Sequence, residues 1–120
     1  MSVLVVDGAN VVGSRPDGWW RDRPGAARRL YDALAAADLA HDEVVLVLEG
    51  AARRGVEAGT SGGVLVVHAP GSGDDAIVAT VAERTGTAEV VVVTADRELR
   101  ARVEQAGASC QGSRWLLDRL

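Results

Sequence analysis

The sequence predicts an α/β domain with three layers, in which helices cover both faces of a central, mainly parallel sheet of four or five strands. Short apolar runs rich in valine recur along the chain, as in strands that are buried on both faces of a parallel sheet. These runs alternate with segments whose apolar residues recur at helical spacing, which favours right-handed strand–helix–strand units. The runs lie at residues 3–6, 44–48, 64–68 and 90–93, with a short fifth at 108–111.

Size and composition limit the architecture and the chemistry. The 120 residues are enough for one hydrophobic core, so we expect a single domain over residues 1–120. The net charge of −4 argues against a protein that coats nucleic acid through bulk charge. All 13 cationic residues are arginine, which excludes any mechanism that needs a catalytic lysine.

The sequence also predicts a cytoplasmic location. The single cysteine, Cys110, has no partner for an internal disulfide and is typical of a buried thiol in a reducing compartment. No apolar run approaches the ~20 residues of a membrane span, and the first residues form a strand rather than a signal peptide. We therefore expect no membrane partner, and the apolar surface leaves a homodimer open.

The segments between the strands carry helix and loop signals. Residues 11–18 include the turn sequence Pro-Asp-Gly and predict a loop. Residues 51–63 hold four glycines and predict an exposed, mobile loop. Apolar spacing predicts a helix over about residues 24–37. Further helices are expected from Asp74 to the region of Gly86, through Leu99, Val103 and Ala106, and after Ser113.

Acidic residues stand where the strands end. Asp7, Glu49 and Asp96 follow predicted strands, and Asp74 with Asp75 opens a helix that faces the same edge. Ligands of open parallel sheets bind beyond the carboxyl ends of the strands. Carboxylates gathered there repel one another unless a cation lies among them. Oxygen ligands select Mg²⁺ or Mn²⁺ over zinc, and such an ion activates water and clamps the oxygens of a phosphodiester.

Each of these residues also has a simpler interpretation. Asp7 and Asp96 can serve as turn or helix-cap residues, and Asp74 with Asp75 can act as an N-cap and a solvated neighbour. Asn10 and Thr94 are uncharged groups that can orient a ligand or a water, or belong to turns. Glu49 is a candidate fourth acid, although a structural or peripheral role is favoured for it.

Three motifs in order resemble those of PIN-like nucleases, specifically the NYN branch. They are Val-Asp-Gly-Ala-Asn at 6–10, Ser-Gly-Asp-Asp-Ala-Ile at 72–77 and Val-Thr-Ala-Asp-Arg-Glu-Leu at 93–99. The resemblance covers nearly the whole chain and implies a compact parallel α/β sheet and a metal-dependent ribonuclease. It departs from the family pattern at the end of the second strand, where relatives often carry Asp instead of Glu49. The segment between strands two and three is short, so part of a substrate-binding surface is expected to be missing there.

The resemblance also implies roles for single residues. Asp7 resembles the metal ligand after the first strand, and Asn10 its asparagine partner. The acid that starts the middle helix is matched by Asp74 or Asp75, and the double Asp leaves open which one faces the metal. Asp96 resembles the acid after the fourth strand, with Thr94 as its hydroxyl neighbour.

Aromatic and basic residues outside these motifs are candidates for substrate binding. Tryptophans can stack on unpaired bases and arginines can hold phosphates. The alternative is that one tryptophan packs over the sheet edge and that the arginines are ordinary solvated surface. The candidates are Trp19, Trp20, Arg15, Arg21, Arg53 and Arg54.

The predicted function is that of an endoribonuclease that hydrolyses RNA phosphodiesters with a carboxylate-bound Mg²⁺ or Mn²⁺ ion. A toxin of a toxin–antitoxin pair is a special case of this function. The alternative is a non-catalytic module that associates with RNA or with the ribosome. A signalling receiver domain also places acids at strand ends, but it needs a lysine, which this chain does not have.

Overall fold

The computed structural model describes residues 1–120 and has one six-stranded sheet at its centre. The strands are β1 (Ser2–Asp7), β2 (Glu43–Leu48), β3 (Gly59–Ser61), β4 (Val64–His68), β5 (Glu89–Val93) and β6 (Ser109–Gln111). Their order across the sheet is β3-β4-β2-β1-β5-β6. Only the edge strand β3 runs antiparallel to its neighbour. The predicted α/β class and mainly parallel sheet are confirmed.

Five α-helices and two 3₁₀ segments connect the strands. The helices are α1 (Gly8–Gly13), α2 (Arg23–Ala36), α3 (Gly73–Arg84), α4 (Arg97–Gln105) and α5 (Ser113–Leu117). The 3₁₀ segments lie at Trp19–Arg21 and Gly50–Gly55. None of the helices combines the length and the apolar character that crossing a bilayer demands.

Strand β1 separates two hydrophobic cores. Leu4 and Val6 pack into the core beneath α2, whereas Val3 and Val5 pack into the core beneath α3 and α4. All four side chains are fully buried. Burial of a valine or leucine contributes about 1.5–3 kcal/mol, so β1 is anchored from both sides and its carboxyl end is held in a fixed position.

The predicted loop at residues 51–63 is wrong, and so is the strand number of four or five. Gly50–Gly55 forms a 3₁₀ segment, and Gly59–Ser61 adds a short strand to the edge of the sheet. Arg53 anchors the segment, since its side chain donates to the carbonyls of Gly50 and Ala69, each at 3.1 Å. Gly62 and Gly63 adopt φ values of 56° and 78°, and this left-handed turn reverses the chain into β4.

The predicted loop at residues 11–18 is partly wrong, because α1 continues to Gly13. Asp7 caps this helix directly at the end of β1 by accepting a hydrogen bond from the Asn10 N–H at 3.3 Å. Gly8 permits the abrupt change from strand β1 to helix α1. A Cβ at Gly8 would lie 2.6 Å from the Val47 carbonyl oxygen, closer than real contacts allow. The site residues Asp7 and Asn10 therefore stand on a strand end and a helix first turn that are rigidly connected.

Candidate active site

A buried hydroxyl joins the first and third acidic motifs. Val6 lies opposite Val93 in the parallel β1–β5 ladder, so the next residues, Asp7 and Thr94, are also neighbours. The Thr94 hydroxyl donates to Asp7 Oδ2 at 2.9 Å. The Thr94 hydroxyl oxygen in turn accepts the Asp96 N–H at 3.2 Å. Thr94 is fully buried, so its hydrogen bond to Asp7 is shielded from water, whereas Asp96 lies on the exposed side of this link.

The backbone of Thr94 is also held from both sides. Its N–H donates to the carbonyl of Gln111 at 2.9 Å. Its carbonyl accepts from Arg100 Nε, also at 2.9 Å. Asp96 follows as the N-cap of α4 and accepts the Leu99 N–H at 2.9 Å. This segment is therefore fixed by groups from β6 and α4 as well as by Asp7.

Asn10 connects the site to the C-terminal part of the chain. Its Oδ1 accepts the Ala95 N–H and the Ser113 hydroxyl, each at 2.9 Å. A backbone N–H can only donate, so the atom that faces Ala95 must be the oxygen of the amide. The NH₂ group of Asn10 is consequently turned away from these partners and is available as a donor. Sequence reasoning missed Ser113 as a site residue, since its position offered only a helix-cap signal.

The structure distinguishes the two adjacent aspartates. Asp75 forms an ion pair with Arg102 at 3.0 Å, and its side chain is 75% exposed. Asp74 is half-buried, and the negative charges of Asp96 and Glu49 act on it. Ser72 caps α3 in place of either aspartate and accepts the Asp74 N–H at 3.1 Å. Asp74 is therefore the member of the pair that faces the other acids.

Glu49 belongs to the same group of acids. Its Oε2 accepts the Gly73 N–H at 3.2 Å, which connects the end of β2 with the start of α3. A Cβ at residue 73 would lie 2.9 Å from Glu49 Oε1, so the glycine allows this close approach. The sequence pattern favoured a peripheral role for Glu49, but the side chain lies beside Asp74. We call Asp7, Glu49, Asp74 and Asp96 the acidic cluster.

The electrostatics of the acidic cluster are unfavourable without a cation. Burial raises the pKa of Asp7, and the charges of Asp74 and Glu49 raise it further; the hydrogen bonds from Thr94 and Asn10 act in the opposite direction. Burial also raises the pKa of Asp74, with Asp96 and Glu49 adding to the effect and Arg102 opposing it. No member of the cluster forms an ion pair with a basic side chain. The cluster therefore holds negative charge that the protein offsets only in part, through Arg102 and hydrogen-bond donors.

Comparison with known proteins places the chain in a family. The family model described as the YacP-like NYN domain matches residues 4–120. The chain belongs to the YacP-like NYN family. The predicted resemblance to the NYN branch of PIN-like proteins is thus confirmed.

Solved structures of other NYN proteins share the fold. A crystal structure of Rae1 (YacP) from Bacillus subtilis is similar, with a TM-score of 0.81 and 22% identity over 98% of this chain and 72% of that chain. A point mutant of the same protein has a TM-score of 0.78 and 21% identity over 98% of this chain and 74% of that chain. At this identity the likeness establishes the fold of the NYN domain. A comparison with curated proteins found no match.

The donor set of this NYN domain fits a hard divalent cation. The acidic cluster offers only carboxylate oxygens, and none of them forms an ion pair with a basic side chain. No group of three His, Cys, Asp or Glu side chains is already arranged for joint ligation. Mg²⁺ does not require such a group, because it keeps several waters and binds through one or two carboxylates. The chemistry of the cluster and the needs of Mg²⁺ or Mn²⁺ are therefore compatible.

The predicted substrate-binding residues of the NYN domain divide between two regions. Trp19 and Trp20 meet edge to face at 5.9 Å, and Trp20 is 55% exposed. Arg21 lies over the Trp20 ring at 5.8 Å. Arg54 is exposed on the 3₁₀ segment Gly50–Gly55. Arg53, in contrast, already donates hydrogen bonds to two backbone carbonyls of the protein. Arg15 lies elsewhere, in a shallow depression beside Arg114 of α5.

Proposed function

We propose that this NYN domain is a metal-dependent endoribonuclease that hydrolyses RNA phosphodiesters at the acidic cluster. The observation that carries the proposal is the meeting of four carboxylates from four separate points of the chain at one sheet edge, without a basic partner. Structural roles alone require no such gathering, since each acid could cap its helix while facing away from the others. Membership of the NYN family supports the same activity.

Asp7, Asp74 and Asp96 are the residues that would hold Mg²⁺ or Mn²⁺. Such an ion would lower the pKa of water and offset negative charge on the phosphate. Asp75 is not assigned to this set, because it pairs with Arg102 on the outer side of α3. Thr94 is a positioning residue that fixes the Asp7 carboxylate, and its buried hydrogen bond keeps that carboxylate in one orientation.

Asn10 is the uncharged donor of the proposed site. Its side-chain oxygen already accepts two hydrogen bonds, from the Ala95 N–H and the Ser113 hydroxyl. The NH₂ group would therefore donate to an oxygen of the substrate. Histidine has no place in this chemistry. His68 lies at the end of β4 and contacts the Val56 carbonyl at 2.7 Å, which leaves proton transfer to the carboxylates and water.

The test compares the two adjacent aspartates. Cleavage of a fluorescently labelled single-stranded RNA is measured with added Mn²⁺ or Mg²⁺ and with a chelator. We expect Asp74→Asn to lower cleavage by about 100-fold, the upper end of the loss that follows removal of even an outer-shell partner at a metal site. Asp75→Asn is the matched control, because it removes one charge from the neighbouring position, and it should keep activity within a few-fold of wild type.

A second readout measures the ion independently of cleavage. Mn²⁺ should raise the melting temperature of the wild type and of Asp75→Asn, since an ion that binds only the folded state stabilises it. It should leave the melting temperature of Asp74→Asn nearly unchanged. Cleavage that persists in the chelator, or equal losses in the two variants, would contradict the proposal. A non-catalytic RNA- or ribosome-associated module would bind RNA and leave it intact at every metal concentration.

A further inference from the structure

A cleft of about 380 Å³ opens beside the acidic cluster, between α1 and the 3₁₀ segment Gly50–Gly55. This volume lies in the range of small-molecule binding sites. Its wall is mainly apolar and includes Val12, Trp19, Leu48 and Ala52; its polar side chains are Glu49 and Arg23. We propose that this cleft binds one unpaired guanine base of the RNA and that Glu49 selects it. This inference rests on the proposed ribonuclease function and specifies its substrate.

The apolar wall suits the flat face of a base. Trp19 is half-buried, and the edge-to-face contact with Trp20 restrains its ring. The guanidinium of Arg23 already lies over the Trp19 ring at 4.9 Å. Stacking of bases on aromatic rings and guanidinium planes is the common means of binding unpaired RNA. The wall therefore provides affinity for a base without choosing among the four.

Glu49 would select guanine from among the four bases. Its hydrogen-bond partner within the protein is the Gly73 N–H, and it forms no ion pair. A carboxylate has about four acceptor positions, so most of its capacity remains for a ligand. Guanine presents two adjacent donors, N1–H and the 2-amino group, which match the two oxygens of a carboxylate. Adenine, cytosine and uracil each place an acceptor beside their donor, and a carboxylate repels that acceptor.

Arg23 complements the base contact with positive charge. Its guanidinium forms neither an ion pair nor a hydrogen bond with the protein. Arginine binds phosphate oxygens in pairs, so Arg23 is free to hold a phosphate next to the bound guanosine. Glu49 also contacts Gly73 at the start of α3, so the base would lie directly beside Asp74 and the proposed site of cleavage.

The experiment measures binding without cleavage. Hexanucleotides that differ at one central base are titrated into the wild-type protein in a chelator, and their fluorescence anisotropy is recorded. We expect the guanine oligonucleotide to bind about 5- to 150-fold more tightly than the others, the range for one good bidentate base contact. Inosine, which lacks the 2-amino group, should bind with intermediate affinity and tests the contact without any mutation.

Variants then assign the selectivity to Glu49. Glu49→Gln should abolish the preference for guanine, since the amide replaces one acceptor with a donor. Glu104→Gln is the matched control, because Glu104 is exposed near the end of α4 and does not line the cleft. Equal binding of all four bases, equal binding of guanine and inosine, or an unchanged preference in Glu49→Gln would overturn the inference. If metal-dependent cleavage sensitive to Asp74→Asn remained in that case, the ribonuclease proposal would stand without the guanine site.

Discussion

Replacing Thr94 with valine tests whether its buried hydroxyl holds the site together. The substitution removes the donor to Asp7 and the acceptor for the Asp96 N–H, while it keeps a branched side chain in the same place. A hydrogen bond to a charged group contributes about 1.5–3 kcal/mol. Protonation of Asp7 can relieve part of the loss, so we expect the free energy of unfolding to fall by about 2 kcal/mol. In a domain of this size that corresponds to a melting temperature lower by roughly 8 °C.

The assay is urea unfolding at several pH values, with Thr94→Ser as the matched control. Serine keeps the hydroxyl and loses one buried methyl group, which is worth about 0.8 kcal/mol. The hydrogen bond favours the ionised form of Asp7, so the difference between Thr94→Val and wild type should narrow as the pH falls through the pKa of Asp7. If valine destabilised the protein no more than serine, or by the same amount at every pH, the assigned role of the hydroxyl would be refuted.

Two further substitutions test the buried charge of Asp7 and the hydrogen bond from Ser113 to Asn10. Because burial raises the pKa of Asp7, the folded state holds more protons than the unfolded state between pH 3.8 and the raised pKa, and stability falls as the pH rises across this window. Asp7→Asn should therefore melt higher than wild type at pH 8 but not at pH 4, while losing cleavage. A lower melting temperature at pH 8 would contradict this. Ser113→Ala should cost about 0.5–1.5 kcal/mol through the lost bond to Asn10 and lower kcat more than it raises KM. Ser109→Ala, at an exposed position of β6, is its control, and equal effects of the two serine changes on kcat would argue against a positioning role.

The main elements of the fold were predictable because their signals are local. Four apolar residues in a row at positions 3–6 identify a strand that is buried on both faces, and the structure buries all four completely. The helix predicted over 24–37 is observed at Arg23–Ala36, where Asp22 and Pro24 give ordinary start signals. The meeting of Asp7 with Thr94 also follows from the parallel sheet, since neighbouring strands end at the same edge.

The remaining features depend on contacts that are distant in the sequence. Strand β3 has three exposed residues and exists through its pairing with β4. Asp74 and Asp75 point in directions about 100° apart around α3. Arg102 on the next helix pairs with Asp75, and this long-range contact distinguishes the two. Ser113 reaches Asn10 across 103 positions of the chain. No local pattern carries this information.

The helix-cap and site interpretations of the acids turn out to be compatible. Asp7 caps α1 and Asp96 caps α4, as the simpler interpretation holds, yet both also belong to the acidic cluster. Capping supplies N–H groups that partly compensate each charge, and this allows a carboxylate to remain at a buried strand end. The compensation is incomplete, because the pKa of Asp7 is still raised. The fold thus tolerates a charge that it neutralises only in part. Burial is the main cost of this charge and repulsion from Asp74 and Glu49 adds to it, and a bound cation would offset both by stabilising the ionised carboxylates. That energetic imbalance, more than the presence of any single aspartate, supports the metal-dependent function proposed above.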